Sequence, residues 1–206
     1  MQAHKPDRRI ERTRSAIRAA FSDLVLTVGY DRIGVRDIVE RAGIGRSTFY
    51  EHFEDKEDVL RQSVTPVLAA LAATVTDTPP PAELTAVVAH FSDNRRLVRA
   101  FFEGPPRRLL AHYLAALIEE RLIVAEDDVA LVPLAMIAAQ LADSQLGLLQ
   151  SWLDDPDRCS AATVTAALVV TTRAAVAVLL RPAAQRERVT RSSRAASIAA
   201  ETAIRR

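Results

Sequence analysis

The chain predicts an all-α fold, and three features carry that prediction. Apolar residues recur at helical steps of three and four, glycines and prolines punctuate those runs, and no alternating strand pattern interrupts them. Composition agrees: 49% of the residues are hydrophobic but only 5% are aromatic, so the helices must pack through alanine, leucine and valine. At 206 residues with 26% charged, the chain is long enough for one large or two small domains and need not be disordered.

Ile10, Ile17, Phe21, Leu24 and Val28 follow helical spacing, and Gly29 is placed to stop that helix. Val35, Ile38, Val39 and Ala42 then give the i, i+3, i+4, i+7 pattern of a short amphipathic helix ended by Gly43. Ile44 can plug the turn. A third short helix is expected from Arg46 to Phe53, with Phe49 and Phe53 turned toward the core. A fourth opens near Asp55, with acidic residues where the helix dipole prefers them, and continues through Val59, Leu60 and Val67.

Three prolines at 79–81 separate this unit from the rest of the chain. Helical segments are expected around 82–92, 94–103 and 106–124, broken by Gly104, Pro105 and Pro106. A longer helix at about 129–153 carries Leu134, Ala138, Leu141, Gln145, Leu148 and Trp152 along one side. Asp154, Asp155 and Pro156 interrupt the chain before a last apolar helix at 160–180, which makes about nine helices in total. Its length suits a membrane span. Arg173, four threonines and the alanine-valine composition favour a buried interface helix instead.

Two short helices joined by a glycine turn and braced by a longer one form a helix-turn-helix. In the stretch GIGRSTFYEHF, residues 43–53, the core takes the phenylalanines. Arg46, Ser47, Thr48, Tyr50 and His52 are left outside, as a solvated face or as a surface that touches something.

Charge and site chemistry narrow the options. The net charge of +1 is unevenly spread: residues 1–60 are balanced, 61–180 are acidic, and the tail from 181 holds 7 basic against 2 acidic residues. That tail is either an arm attracted to phosphate or a loosely docked helix. A single Cys159 excludes an internal disulfide and a multi-cysteine metal site, and fits a reducing compartment. His4, His52, His90 and His112 are far apart, with no H-E-x-x-H, G-x-S-x-G or phosphate-cradling glycine loop. The start of the chain has no apolar core of a secretory signal. These observations predict no catalytic residue, metal or cofactor.

The stretch GVRDIVERAGIGRSTFYEHFEDKEDVL, residues 34–60, resembles the N-terminal signature of TetR-family transcriptional regulators, and roughly residues 10–60 are covered. The resemblance implies a three-helix helix-turn-helix domain at 1–56 and a helical ligand-binding and dimerisation domain at 57–181, with the basic tail at 182–206. It implies that the helix from Arg46 to Phe53 enters the major groove. Gly45, Arg46, Ser47 and Thr48 would then lie near bases or phosphate. Tyr50 and His52 would touch the DNA backbone, and Lys56 and Arg36 would bind phosphate, with a surface ion pair as the ordinary alternative for those two. Where the family often has Ser or Thr before the second and third helices, this chain has Gly34 and Gly45, which removes two hydroxyl contacts.

The expected partners are double-stranded DNA with a palindromic operator, a small-molecule effector and a second copy of the chain, in the cytoplasm and without a membrane. Phe91, Phe101, Phe102, His112, Tyr113 and Gln140 are the candidate lining of an effector cavity, whose alternative is a filled core. Leu141, Leu148, Trp152, Leu168 and Ala175 are the candidate dimer seam. A repressor released by an apolar or amphiphilic ligand is the leading expectation. A ligand-independent dimeric DNA-binding protein and a small-molecule enzyme are the rivals.

Overall fold

The computed structural model describes residues 8–76, 83–122 and 128–182. His4, Lys5, the prolines at 79–81 and the basic tail from 183 onward fall outside them. Among the described residues nine α-helices follow one another: α1 Arg8–Thr27, α2 Val35–Ala42, α3 Arg46–Tyr50, α4 Lys56–Ala72, α5 Glu83–Asp93, α6 Arg95–Phe102, α7 Gly104–Glu119, α8 Leu134–Asp154 and α9 Ala161–Leu179. Short 3-10 turns sit at Tyr30–Arg32, Ala73–Val75 and Pro156–Arg158.

Most expected helix boundaries fall within a few residues of those found. Gly29 and Gly43 end α1 and α2 with φ of 88° and 64°, the left-handed region that costs glycine nothing. Asp55 caps α4 by accepting from the Asp58 amide at 2.8 Å. Asp58 itself is buried and collects the Glu54 amide, Gln62 Nε2 and the Arg61 guanidinium. The prolines after Gly104 open α7 instead of interrupting it, since proline suits the first helical turn, whose amides have no helical partner anyway.

The all-helical reading holds, with one short strand pairing added to it, and the facing of α1 and the face read as a dimer seam differ from expectation. Ile10 and Val28 are exposed; α1 buries Ile17, Ala20, Phe21, Leu24 and Val25. Two three-residue strands pair antiparallel, β1 Asp128–Ala130 against β2 Leu180–Pro182, and staple the start of α8 to the end of α9. They are too short for any alternation to show. The expected dimer seam is largely protomer core: Leu141, Trp152 and Leu168 are buried. Leu148 and Ala175 are half-buried against that same core. Periodicity marks a buried face but does not say which element covers it.

The C-terminal half packs α7 against α8 and α4, and α9 against α5 and α8. Gln145 of α8 is buried at the centre, donating to Thr74 Oγ1 at 3.0 Å and Thr172 Oγ1 at 3.2 Å, so one amide ties the end of α4 to α8 and α9. Trp152 Nε1 donates to the Cys159 carbonyl at 2.9 Å and closes the turn into α9. By length and composition α9 could cross a bilayer. It is instead laid along α5 and α8, burying Val164, Leu168 and Val169 on one side, and its opposite side is open, with Val170 65% exposed.

The two halves share one connected core that runs from Ile17 to Val169. Phe21 of α1 stands at the join. It stacks on Phe101 of α6 and meets the Tyr30 ring edge-on, each at 6.1 Å between centroids. Tyr30 in turn is held by α4: Lys56 Nζ donates to the Tyr30 and Ile33 carbonyls at 3.0 and 3.1 Å and lies 4.6 Å from the centre of the Tyr30 ring. The Tyr30 hydroxyl donates to Glu57 at 3.3 Å.

Truncating Phe21 to alanine removes a fully buried ring at the join and should cost about 3–5 kcal/mol. Urea unfolding followed by circular dichroism should show one transition shifted to lower denaturant; two separate transitions would contradict a shared core. Burial, and then the Glu57 carboxylate, hold the Tyr30 phenol above the ordinary tyrosine range; burial does the same to Tyr113. A raised folded pKa stabilises fully below the unfolded value of about 10 and is lost as pH climbs beyond it. Stability should therefore fall above pH ~10, and Tyr30→Phe should flatten that decline. Lys56→Met leaves two carbonyls without their donor and should lower stability by about 1–3 kcal/mol.

Candidate nucleic-acid interface and effector cavity

The α2–α3 unit is built on few contacts, each identifiable. Arg41 of α2 pairs with Asp23 of α1. The Gly34 amide donates to Asp37 at 2.8 Å, which supplies half of a capping box where no side-chain cap exists. The Ile44 amide bonds back to the Val39 carbonyl at 3.1 Å, and Ile44 packs on the core as expected.

α3 ends at Tyr50, three residues short of the expected Phe53. Its last turn tightens: the His52 amide reaches only to Phe49, at 2.9 Å, while Phe53 keeps the regular bond to the same carbonyl. Phe49 and Phe53 are both buried and their rings lie 5.9 Å apart. That pair decides which way α3 faces.

The candidate reading residues differ in exposure. Arg36, Gly45, Arg46 and Ser47 are exposed, Thr48 and His52 are half-buried, and Tyr50 is 59% exposed with its ring edge-on to Phe49 at 5.5 Å. Among the described residues neither Arg36 nor Arg46 has a carboxylate within ion-pair distance, whereas Arg18, Arg41 and Arg61 each do. Two guanidiniums therefore stand uncommitted on this face. Lys56 differs from expectation, because two of its three donors already hold backbone carbonyls. No sequence signal marks that role, since the acceptors are main-chain atoms 23 and 26 residues away.

A cavity of about 370 Å³ opens where the two halves meet. Phe91, Phe101 and Phe102 line it, with Leu68, Leu71 and Leu110 beside them. His112, Tyr113 and Gln140 do not. α7 turns Leu110, Leu114 and Ile118 inward, so His112 lines a separate groove against α8 and Tyr113 lies toward the charged start of α4. α8 turns Ile137, Ala138 and Leu141 inward, which leaves Gln140 exposed. Sequence reasoning missed the wall that α1 supplies through Ser15, Arg18 and Ser22, because short polar residues on a surface helix read as a solvated face. Among the described residues no group of three or more His, Cys, Asp or Glu side chains could hold a metal.

Residues 17–62 match the family model of bacterial regulatory proteins, tetR family. Over 59 residues the chain is 39% identical to the uncharacterized HTH-type transcriptional regulator YxbF of Bacillus subtilis, and over 48 residues 42% identical to the dhaKLM operon transcriptional activator DhaS of Lactococcus lactis. Those stretches are 28% and 23% of this chain but only 16% and 26% of the two relatives. Two solved structures share the fold at low identity. A TetR-family regulator of Streptomyces coelicolor superposes with TM-score 0.56 at 19% identity, over 85% of this chain and 99% of that one. A TetR transcriptional regulator of Streptococcus agalactiae gives 0.52 at 23%, over 81% and 96%. The matching family is one of bacterial regulatory proteins, and both curated relatives are named as transcriptional regulators. Residues 17–62 of this chain are accordingly similar to the tetR family of bacterial regulatory proteins, and the chain as a whole shares the fold of the two solved regulators.

Proposed function

We propose that the chain is a homodimeric repressor that reads a palindromic operator through α3 and leaves it when a small apolar or amphiphilic molecule enters the cavity beside α1. The observation that carries this reading is the outer face of α3. Phe49 and Phe53 fix the helix by their burial; Arg46, Ser47 and Tyr50 are left to the outside and Thr48 half-buried between them. A guanidinium without an ion-pair partner at the start of such a helix suits a bidentate contact to guanine. Tyr50 and His52 suit the backbone, as does Arg36 from α2. Lys56 directs at most one donor outward and acts chiefly by holding the Tyr30 turn in place.

The reading assigns residues up to about 56 to DNA, residues 57–181 to regulation and dimerisation, and the basic tail, mostly outside the described residues, to neither. The dimer face it favours is not the one read from periodicity. Met136 of α8 is 59% exposed, and Val170 and Val178 of α9 are exposed beside Ala166 and Ala174. A long apolar helix with one open side calls for a second copy, and the small residues let two such helices approach closely. An α9 covered in this way needs no membrane, which agrees with a protein that works beside DNA in the cytoplasm.

Half-sites one helical turn apart need the two recognition helices about 34 Å apart. An effector that alters the packing of α1 and α6 shifts that spacing, and nearly complete release requires it to discriminate between the two states by about 5 kcal/mol. A second reading, activation, is favoured by one observation: the relative DhaS is named an operon activator.

The test is selection of randomised duplex DNA by the purified chain at near-physiological salt, beside Tyr50→Ala. One inverted repeat should emerge and be lost in the variant; no enrichment by the parent chain would count against the reading. Arg46→Ala should relax preference at one base position by about 1–3 kcal/mol. Placing the recovered repeat within a promoter then fixes the sign of regulation. For the dimer, Val170→Glu should yield monomers in sedimentation velocity with the helical content unchanged. A Val170→Glu chain that stays dimeric would move the seam elsewhere.

A further inference from the structure

We propose that the cavity beside α1 takes a medium-chain amphiphile with a carboxylate head, and that Arg18 of α1 is the residue that holds the head. The proposal rests on reading this cavity as the effector site.

Exposure sorts the cavity lining by polarity. Its inner wall is apolar and buried, built by Leu68, Leu71, Phe91, Phe102 and Leu110. Its outer wall is polar and reaches solvent: Ser15 and Arg18 from α1, and His90 and Asn94, whose side chains touch at 3.1 Å. Among the described residues no aspartate or glutamate lines the cavity, so the only permanently charged group in its wall is a cation, Arg18. A ligand matching this arrangement has one apolar end and one anionic end.

The head chemistry is already acted out by the protein. The Arg18 guanidinium donates to Glu11 Oε1 at 2.6 Å, one turn pair earlier on the same helix. Glu11 is 55% exposed and is not part of the cavity wall. Its carboxylate occupies one of the donors a ligand head would use and can swing into water when displaced. Exchange of one carboxylate for another leaves the guanidinium paired throughout, which avoids stranding a charge at the mouth of an apolar cavity. At about 30 Å³ for each water-sized group, the cavity holds about a dozen non-hydrogen atoms. That corresponds to a chain of about ten carbons with its head.

The position of the head matters for control. Arg18 belongs to α1, on the DNA-reading side of the join, while the tail would lie against Phe101, which stacks on Phe21 of that same helix. A bound amphiphile therefore grips α1 at two points, by charge and by packing, and sets its position against α4 and α6.

Decanoate, 1-decanol and decyltrimethylammonium serve as probes of one chain length and three head charges, titrated calorimetrically into the full chain and into Arg18→Gln and Glu11→Gln. Decanoate should bind saturably at one per chain, more tightly than decanol, with the cation weakest. Arg18→Gln should weaken decanoate by about tenfold or more and leave decanol unchanged, which also shows that the variant is folded. Glu11→Gln should tighten decanoate by about two- to threefold, because the internal competitor is gone. Equal binding of decanoate and decanol, or indifference of decanoate to Arg18→Gln, overturns the head assignment while the effector cavity stands. Uptake of none of the three overturns the site itself. Selection of an operator by the same preparation then shows that the DNA-reading half is unaffected by that failure.

Discussion

Phe21 is the point on which the arrangement depends. It is the one fully buried aromatic ring of α1, and it touches both a ring that α4 clamps and a ring that lines the cavity beside α1. Because a close-packed core cannot be deformed gradually, movement on either side of this ring must be accommodated by the other. Any division into a reading half and a regulatory half, as proposed above, would therefore be one of role. The buried side chains do not divide there.

The same economy explains why α3 can be so short. Five residues do not make a stable helix alone. α3 is held by the groups under and after it: two buried phenylalanines, and Gln62 of α4, whose amide donates to the His52 carbonyl at 3.4 Å. These anchoring contacts are on the inner side, so the exposed Arg46 and Ser47 can vary without disturbing them. Gly45, at the start of α3, has extended backbone and room for a small side chain. Its lack of a cap is a feature of this sequence that the backbone does not require.

Much of this is legible in the residues alone. The glycine stops at 29 and 43 and the caps around Asp55 are local signals, written within a few residues of the structure they cause. The outer face of α3 emerges by subtraction, once Phe49 and Phe53 are given to the core. The features that depend on distant partners are not legible in this way. Leu141, Trp152 and Leu168 announce a buried stripe equally well whether a neighbouring helix or a second copy covers it. Lys56 carries no sign that it will serve two carbonyls of a turn far earlier in the chain. Arg18 and the serines of α1 look solvated because the helices that make a cavity of their surroundings lie 40 or more residues away. The short β1–β2 ribbon is invisible because three residues are too few to show a period.

That α1 walls the cavity has a consequence in linkage. If an occupant weakens the grip on an operator by some factor, the operator must weaken the grip on the occupant by the same factor. The affinity measured for a compound with the free protein is then the upper limit of what the DNA-bound protein offers. Compounds would be captured first by molecules already off their operator, and only then drain the bound population. A cell holding more copies than operators would thus place a buffer ahead of its own switch, and the level at which the switch turns would be set by copy number as much as by the cavity.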